Sequence, residues 1–317
     1  MSFKIIGTGS CLPEKIVTND DLANMVETSD EWIVQRVGVK QRHVAVSETA
    51  ADLALGAALS ALENSGTKPD ELDLIIAATI SGDDICPTVA GSVQSRLGAS
   101  CPAFDISSAC SGFIFALDTA AGFFARGMVK KALVIGAERI SKLIDWSDRS
   151  TCVIFGDGAG AAVLESGGGY LNSKLVTKGG DDVIHIPSSH GSSPFFKKEL
   201  LPPFIFMNGQ ETFKFAVNTM TCDIKDVVSG AGMTLDDVAY IVPHQANIRI
   251  IQFASKKLKQ PKEKFFTNLD KYGNTSSASV PIALDELNRS GKLNRGDIIV
   301  LSAFGGGLSS GTCLIRW

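Results

Sequence analysis

Apolar residues fall along this chain in two recurring arrangements, short unbroken runs and longer stretches with helical spacing. The runs near residues 4–8, 71–79, 104–106 and 132–136 read as buried strands. Residues 20–25, 50–65 and 90–97 read as helices, and the segment 28–36, holding Trp32 and Arg36, opens on Ser29-Asp30, which suits a helix N-cap. From 113 to 126 nearly every side is apolar, with Asp118 and Thr119 the main breaks, so this helix is expected in the middle of the molecule. Residues 155–164 read as a tight glycine turn opening into a strand. Strands alternating with helices imply an α/β protein with mainly parallel pairing.

The second half repeats this grammar. Residues 67–79, with Asp70-Glu71-Leu72-Asp73-Leu74-Ile75-Ile76, are echoed by 234–245, with Asp236-Asp237-Val238-Ala239-Tyr240-Ile241-Val242. The glycine turn at 155–164 is echoed by 304–314. Two echoes in matching order imply a duplicated unit joined near 167–171, with halves at 1–169 and 170–317; a chance match between generic βα segments is the alternative. The least regular stretch, 178–206, reads as a long surface loop whose His185 and His190 are solvated and not metal ligands.

Composition narrows the class. The 317 residues are 44% hydrophobic and 20% charged, with no acidic or basic tail, as in a compact globule with a large core. No run of eighteen apolar residues occurs, so no membrane span is expected, and Met1-Ser2-Phe3-Lys4 enters a strand without signal-peptide features, so the cytoplasm is the expected location. Seven scattered cysteines without a C-x-x-C pair argue against a disulfide framework or a structural zinc site. A net charge of −4 argues against nucleic-acid binding. Arg249, Lys256, Lys257, Lys259, Lys262 and Lys264 nevertheless crowd one stretch against the single acid Glu263, either a solvated helix face or a dock for an acidic partner.

Three positions carry candidate chemistry. Cys110 follows the strand at 104–106 and starts the apolar helix, where unpaired N–H groups and the helix dipole favour thiolate and so a nucleophile. His244 stands just past a strand, where α/β folds expose catalytic groups. Asn274 sits in a turn before the helix at 280–288. Singly, each has an ordinary explanation: a small core thiol, a hydrogen-bonded core imidazole, an amide serving turn geometry.

Together they resemble a family. Cys110 in Ser-Ser-Ala-Cys-Ser-Gly-Phe, His244 in Val-Pro-His-Gln-Ala-Asn and Asn274 in Gly-Asn-Thr-Ser-Ser-Ala-Ser-Val-Pro, with Phe-Gly-Asp-Gly-Ala-Gly-Ala and Ala-Phe-Gly-Gly-Gly, resemble β-ketoacyl-acyl carrier protein synthase III over essentially the whole chain. The resemblance implies a thiolase fold, two similar βαβαβαββ halves forming a five-layered αβαβα sandwich, as a homodimer. It implies an acyl-CoA primer carried on Cys110 and condensed with malonyl-acyl carrier protein, without a metal or other cofactor. His244 and Asn274 would hold the malonyl thioester oxygen, backbone N–H groups of Cys110 and Gly306 the oxyanion, and Phe304 would lie beside the malonyl carboxylate. Thr28, Trp32, Arg36 and Arg149 match positions for the CoA adenine and phosphates, Gly209, Phe213 and Asn247 the pantetheine tunnel, and Arg249, Lys256 and Lys257 the carrier-protein dock.

The chain departs from the family's pattern in two places. Cys86 stands where members often carry a Phe closing the primer pocket across the dimer, which implies room for primers longer or more branched than acetyl. Leu308-Ser309-Ser310-Gly311 replaces a bulkier aromatic pattern, with no consequence readable from sequence. A relative making a specialised ketone or polyketide, and a non-catalytic acyl-CoA-binding protein, are the alternative readings.

Overall fold

The computed structural model describes residues 2–187, 194–195 and 201–317; His190 and the rest of 188–193 and 196–200 lie outside the described residues. Two mixed sheets form its frame. The first contains β1 (Ser2–Cys11), β2 (Leu74–Ala78), β3 (Ala103–Ile106), β4 (Lys131–Glu138) and β5 (Gly158–Gly167), in the spatial order β1-β5-β4-β2-β3. The second contains β6 (Tyr170–Thr177), β7 (Val238–Pro243), β8 (Ile298–Gly305) and β9 (Ser309–Arg316), in the order β7-β8-β9-β6. The orders match half for half. Where a counterpart of β3 would pair with β7, only the parallel bridge Ile241 to Phe265 is formed.

Parallel pairing does not dominate. It joins β2 to β3, β2 to β4 and β7 to β8, whereas β1–β5, β4–β5, β8–β9 and β9–β6 are antiparallel. The reason is local. β8 turns into β9 through Gly306, Gly307 and Leu308, and a hairpin of that length can only reverse the chain.

Six helices complete the layers. On the outer face of the first sheet lie α1 (Ala50–Ser65) and α2 (Val89–Leu97). α1 is set by Thr49 and Asp52, whose side chains bond each other's backbone N–H in a capping box, and it stops at Gly66 with φ +66°. Its buried face is mostly alanine, so it lies close on β1: a Cβ on Gly9 would come 2.3 Å from the Ala61 nitrogen.

Between the sheets lie α3 (Gly112–Ala125) and α6 (Ser279–Arg289), each packed against strands of both. Phe113, Ile114, Leu117 and Phe124 are completely or almost completely buried in a core that runs from Phe3 in β1 to Ile315 in β9. Each such side chain contributes about 1.5–3 kcal/mol. α4 (Gly209–Gly230) and α5 (Ile248–Leu258) cover the second sheet outside. The result is the expected five-layered αβαβα sandwich. Among the described residues no helix is long and apolar enough to cross a membrane.

The stretch expected to be a plain surface loop does more than connect. Ile184–His185 pairs antiparallel with Phe206–Met207, and His185 is half-buried, its ring 5.0 Å from that of Phe206. Ile184, Ile186 and Ile205 turn one side of this ribbon toward the molecule's large cavity.

Candidate active site

β3 ends at Ile106, and after Ser107 and Ser108 one tight turn, Ala109–Ser111, leads into α3. Ala109 has φ +45°, a strained value for a residue with a side chain, and this kink projects Cys110 from the end of the buried helix. The close partner is Gly305 at the end of β8. A Cβ there would lie 2.7 Å from the Cys110 nitrogen and 3.0 Å from its Cβ, so this position requires glycine. A Cβ on Gly306, one residue further, would face Ile184 and Ala109.

Ser309, left without a consequence by the sequence, secures that loop. Its hydroxyl lies 2.8 Å from the Gly306 carbonyl, to which it donates, and 2.9 Å from Ser111 Oγ. The glycine turn and the cysteine elbow are thereby tied together across the halves. Ser310 points the other way and donates to buried Asp223 at 2.8 Å.

His244 follows β7 directly, and its N–H donates to the Ser302 carbonyl at 2.7 Å. Ser279 Oγ, at the start of α6, lies 2.6 Å from His244 Nδ1 and accepts the Gln245 N–H at 3.4 Å. With the serine proton donated to Nδ1, the imidazole carries its own proton on Nε2. Burial pushes the imidazole down to about 3, so it is neutral at ordinary pH. Phe304 meets it edge-on at 5.3 Å.

Asn274 is held by its backbone, its N–H donating to Ile154 and its carbonyl accepting from Gly156, in a parallel bridge to Phe155. Its Oδ1 accepts the Ser276 N–H at 2.8 Å, which leaves the two amide protons of Nδ2 to face outward.

Burial pushes the Cys110 thiol up to about 12, opposed by the nearby Ser276 hydroxyl and helped by the charge of Glu138. The expectation of a favoured thiolate is therefore reversed, although Cys110 does sit at the helix start and keeps part of its surface open. Desolvation outweighs the helix dipole, whose effect at a helix end is only about 0.3–2 kcal/mol.

One cavity of about 1480 Å³ is lined by Cys110, His244, Asn274, Phe304, Gly306 and Cys86, and along its wall by Gly209, Phe213 and Asn247. His185 lines it too, with Nδ1 buried and without a hydrogen-bond partner among the described residues. Its only signal in the sequence was a histidine in a loop. Cys86 is exposed beside Ile85, which is 85% exposed, and precedes Pro87 through a cis peptide.

Thr28, Trp32, Arg36 and Arg149 do not line the cavity. Arg149 stacks on Trp32 at 5.0 Å and donates to the Glu27 carbonyl at 2.7 Å, while Thr28 Oγ1 is enclosed without a partner among the described residues. Arg36 is exposed, and its carbonyl accepts from Asn247 Nδ2 at 3.1 Å, which links this group to the cavity wall. Arg249, Lys256 and Lys257 are all exposed on α5, with the Arg249 guanidinium 6.0 Å from the Phe213 ring and Lys257 bonded to Asn218 Oδ1 at 2.9 Å. No cluster of three or more His, Cys, Asp or Glu with metal-binding geometry occurs among the described residues.

The sequence matches the family model for 3-oxoacyl-[acyl-carrier-protein (ACP)] synthase III over residues 104–179 and the model for its C-terminal part over 228–317. It is 51% identical to the beta-ketoacyl-[acyl-carrier-protein] synthase III of Clostridium acetobutylicum, covering 100% of this chain and 99% of that protein. The like-named protein of Caldanaerobacter subterraneus subsp. tengcongensis is 50% identical, with 99% and 97% covered. The crystal structure of 3-oxoacyl-[acyl-carrier-protein] synthase III from Aquifex aeolicus superposes with a TM-score of 0.94 at 46% identity, over 99% of this chain and 100% of that one.

Proposed function

The chain belongs to the β-ketoacyl-[acyl-carrier-protein] synthase III family of thiolase-fold acyltransferases that initiate fatty acid synthesis, and from that premise we propose that Cys110 carries the acyl group of an acyl-CoA primer to malonyl-acyl carrier protein. The observation that carries this reading is the convergence of Cys110, His244, Asn274 and Phe304 on one cavity.

In the first step the Cys110 sulfur attacks the thioester carbon, the acyl–sulfur bond to CoA breaks, and CoA leaves as thiolate. Backbone N–H groups of Cys110 and Gly306 hold the oxyanion. In the second, malonyl-acyl carrier protein loses CO₂. The electron pair left behind is held as an enolate whose oxygen accepts from His244 Nε2–H and Asn274 Nδ2–H. Neutral imidazole suits this role, since it donates without adding a charge that would bind the malonyl carboxylate. Phe304 beside it gives the carboxylate an apolar neighbour, which favours its departure. The carbanion takes the acyl group, the bond to Cys110 breaks, and 3-oxoacyl-acyl carrier protein leaves. Neither step calls for a metal or cofactor.

Gly209, Phe213 and Asn247 guide the pantetheine arm, and Thr28, Trp32, Arg36 and Arg149 bind the nucleotide end of CoA. The purine requires Arg149 to lift from Trp32, because a guanidinium stacked at 5.0 Å fills the ring face. Arg249, Lys256 and Lys257 dock the acidic carrier protein at the cavity mouth. Cys86, small and at the primer end, admits primers larger than acetyl. Residues 1–169 and 170–317 are the two thiolase-like halves, and the protein acts as a cytoplasmic homodimer.

Intact-protein mass spectrometry after mixing with acetyl-, butyryl-, isobutyryl- and octanoyl-CoA tests the scheme. The wild type gains the acyl mass, Cys110→Ala does not, and malonyl-acyl carrier protein discharges it with CO₂ release. Failure of every CoA thioester to load Cys110 overturns it.

A further inference from the structure

Behind the stacked pair of Trp32 and Arg149 lies a buried cation. Arg42, in the short ribbon that Gln41–His43 forms with Ile16–Thr18, is fully buried, and no carboxylate pairs with it among the described residues. Burial lowers its guanidinium to about 10, so it stays charged at neutral pH. Its hydrogen bonds run in two directions. Nη1 donates to Asn19 Oδ1 at 2.8 Å and to the Val17 carbonyl at 3.3 Å, and Nη2 donates to the Val153 carbonyl at 2.8 Å. Nε is enclosed without a hydrogen-bond partner among the described residues.

Each direction leads to one member of the pair. Asn19 Nδ2 donates to Asp30 Oδ1 and to the Val39 carbonyl, both at 2.8 Å, and Asp30 opens the helix Asp30–Arg36, which holds Trp32. Val153 ends the helical turn Arg149–Cys152. One planar guanidinium thus fixes the separation of the two segments whose side chains stack at 5.0 Å. The same residue underlies the Asn274 turn. Ile154, next after Val153, accepts the Asn274 N–H at 2.9 Å, and a Cβ added to Gly156 or Gly273 would come 3.1 or 3.5 Å from the Arg42 Cβ.

We infer that Arg42 is a positioning residue that sets the spacing of the nucleotide clamp, Trp32 and Arg149, and holds the Asn274 turn in register with it. The inference rests on the reading above in which those two residues bind the nucleotide end of CoA. Arg42 does not line the cavity and acts only through the segments it joins. Packing alone does not call for it, because a buried charge is costly and an apolar side chain of similar length would fill the space. What the guanidinium adds is a rigid fork that reaches acceptors on two sides at once, whereas an ammonium is a point charge on a flexible stem. With both segments fixed from behind, Arg149 lifts its side chain from Trp32 to admit a purine without its backbone having to move.

The test is single-turnover loading of Cys110, read by intact mass, from acetyl-CoA and from acetyl-N-acetylcysteamine, a thioester without the nucleotide, followed by CO₂ release when malonyl-acyl carrier protein meets the loaded enzyme. Arg42→Met fills the space without the fork. It should raise half-saturating acetyl-CoA about tenfold, as loss of a charge-assisted hydrogen bond implies, while the saturated loading rate and loading from the short thioester stay within about twofold of wild type. General loosening of the site would slow both thioesters alike. CO₂ release should fall about tenfold through the displaced Asn274. Asp30→Ala, an exposed change that cuts the Asn19 arm alone, should raise half-saturating acetyl-CoA about threefold and leave CO₂ release unchanged, and it decides alone if Arg42→Met does not fold by circular dichroism. Unchanged half-saturating acetyl-CoA in a folded variant, an equal loss with the short thioester, or unchanged CO₂ release in Arg42→Met overturns the inference. If the wild type saturates no more readily with acetyl-CoA than with the short thioester, the nucleotide reading falls instead, and CO₂ release in Arg42→Met decides whether Arg42 holds Asn274.

Discussion

The two halves approach the cavity with the same backbone device and different chemistry. In the first, Ala109 at φ +45° opens one tight turn, Ala109–Ser111, that leads into the middle-layer helix α3; in the second, Ser276 at φ +51° opens Ser276–Ala278, which leads into α6. The residue after each strained position is Cys110 in one half and Ser277 in the other. The first faces the open cavity, and the second is sealed between the Ala78 carbonyl and Glu138. The strand ends diverge likewise. β4 ends on a buried Glu138, whereas β8, its counterpart, ends on Gly305, which makes way for Cys110. A duplicated frame thus supplies two facing turns, and side-chain size and charge decide which reacts and which supports.

The largest change should come from breaking that asymmetry at its centre. Cys110→Ala is expected to lower condensation by at least about 10³-fold and to abolish acyl loading in intact-mass measurements. Ser277→Ala should leave Cys110 able to load while lowering thermal stability by about 1–3 kcal/mol through the orphaned carbonyl and carboxylate contacts.

His244→Ala and Asn274→Ala separate the halves by step. Each should lower CO₂ release from malonyl-acyl carrier protein by about 10²–10³-fold, while acyl loading of Cys110 persists. Gly305→Ala tests how closely the second half must approach the first. A Cβ 2.7 Å from the Cys110 nitrogen must displace the loop, and a displacement on the order of 1 Å should slow loading about 10²-fold.

Acid exposes the cost of keeping His244 neutral. Its imidazole titrates near 3 when folded against 6.5 when free. The unfolded chain therefore binds the proton first, and stability present above about 6.5 is lost as pH falls toward 3, at up to about 1.4 kcal/mol per pH unit. Urea unfolding across that range should show a shallower slope in His244→Asn. The smallest effect belongs to the surface. Lys256→Ala with Lys257→Ala should raise the KM for malonyl-acyl carrier protein a few-fold, as loss of about 1 kcal/mol implies, and added salt should erase the difference.

Much of this was legible in order along the chain. The apolar helix after Cys110, the Ser29 cap ahead of Trp32, and His244 just past a strand are short-range patterns, and each formed as read. The carriers of the candidate chemistry were found because they sit in dense local motifs. Ser276, Ser277 and Ser279 stood in the same motif as Asn274 and were passed over, since a serine in a turn has many ordinary uses. Glu138 left only a faint trace, an acid closing an apolar strand. The thiol's protonation was misjudged because a helix start is visible in sequence and desolvation is not.

By itself the sequence determined the elements, their repeated order and the identities of the groups that meet at the cavity, because periodicity, capping and turn chemistry act over a few residues. Tertiary structure alone decided that the last strands of each half pair antiparallel, that Gly305 in the glycine turn makes way for the nucleophile, and that Ile184 and His185 line the site. It also decided the resting states of Cys110 and His244. Those depend on how much water remains around a group and which charges lie within a few ångströms, and residues 138 and 276 come that close to residue 110 only after the chain has folded.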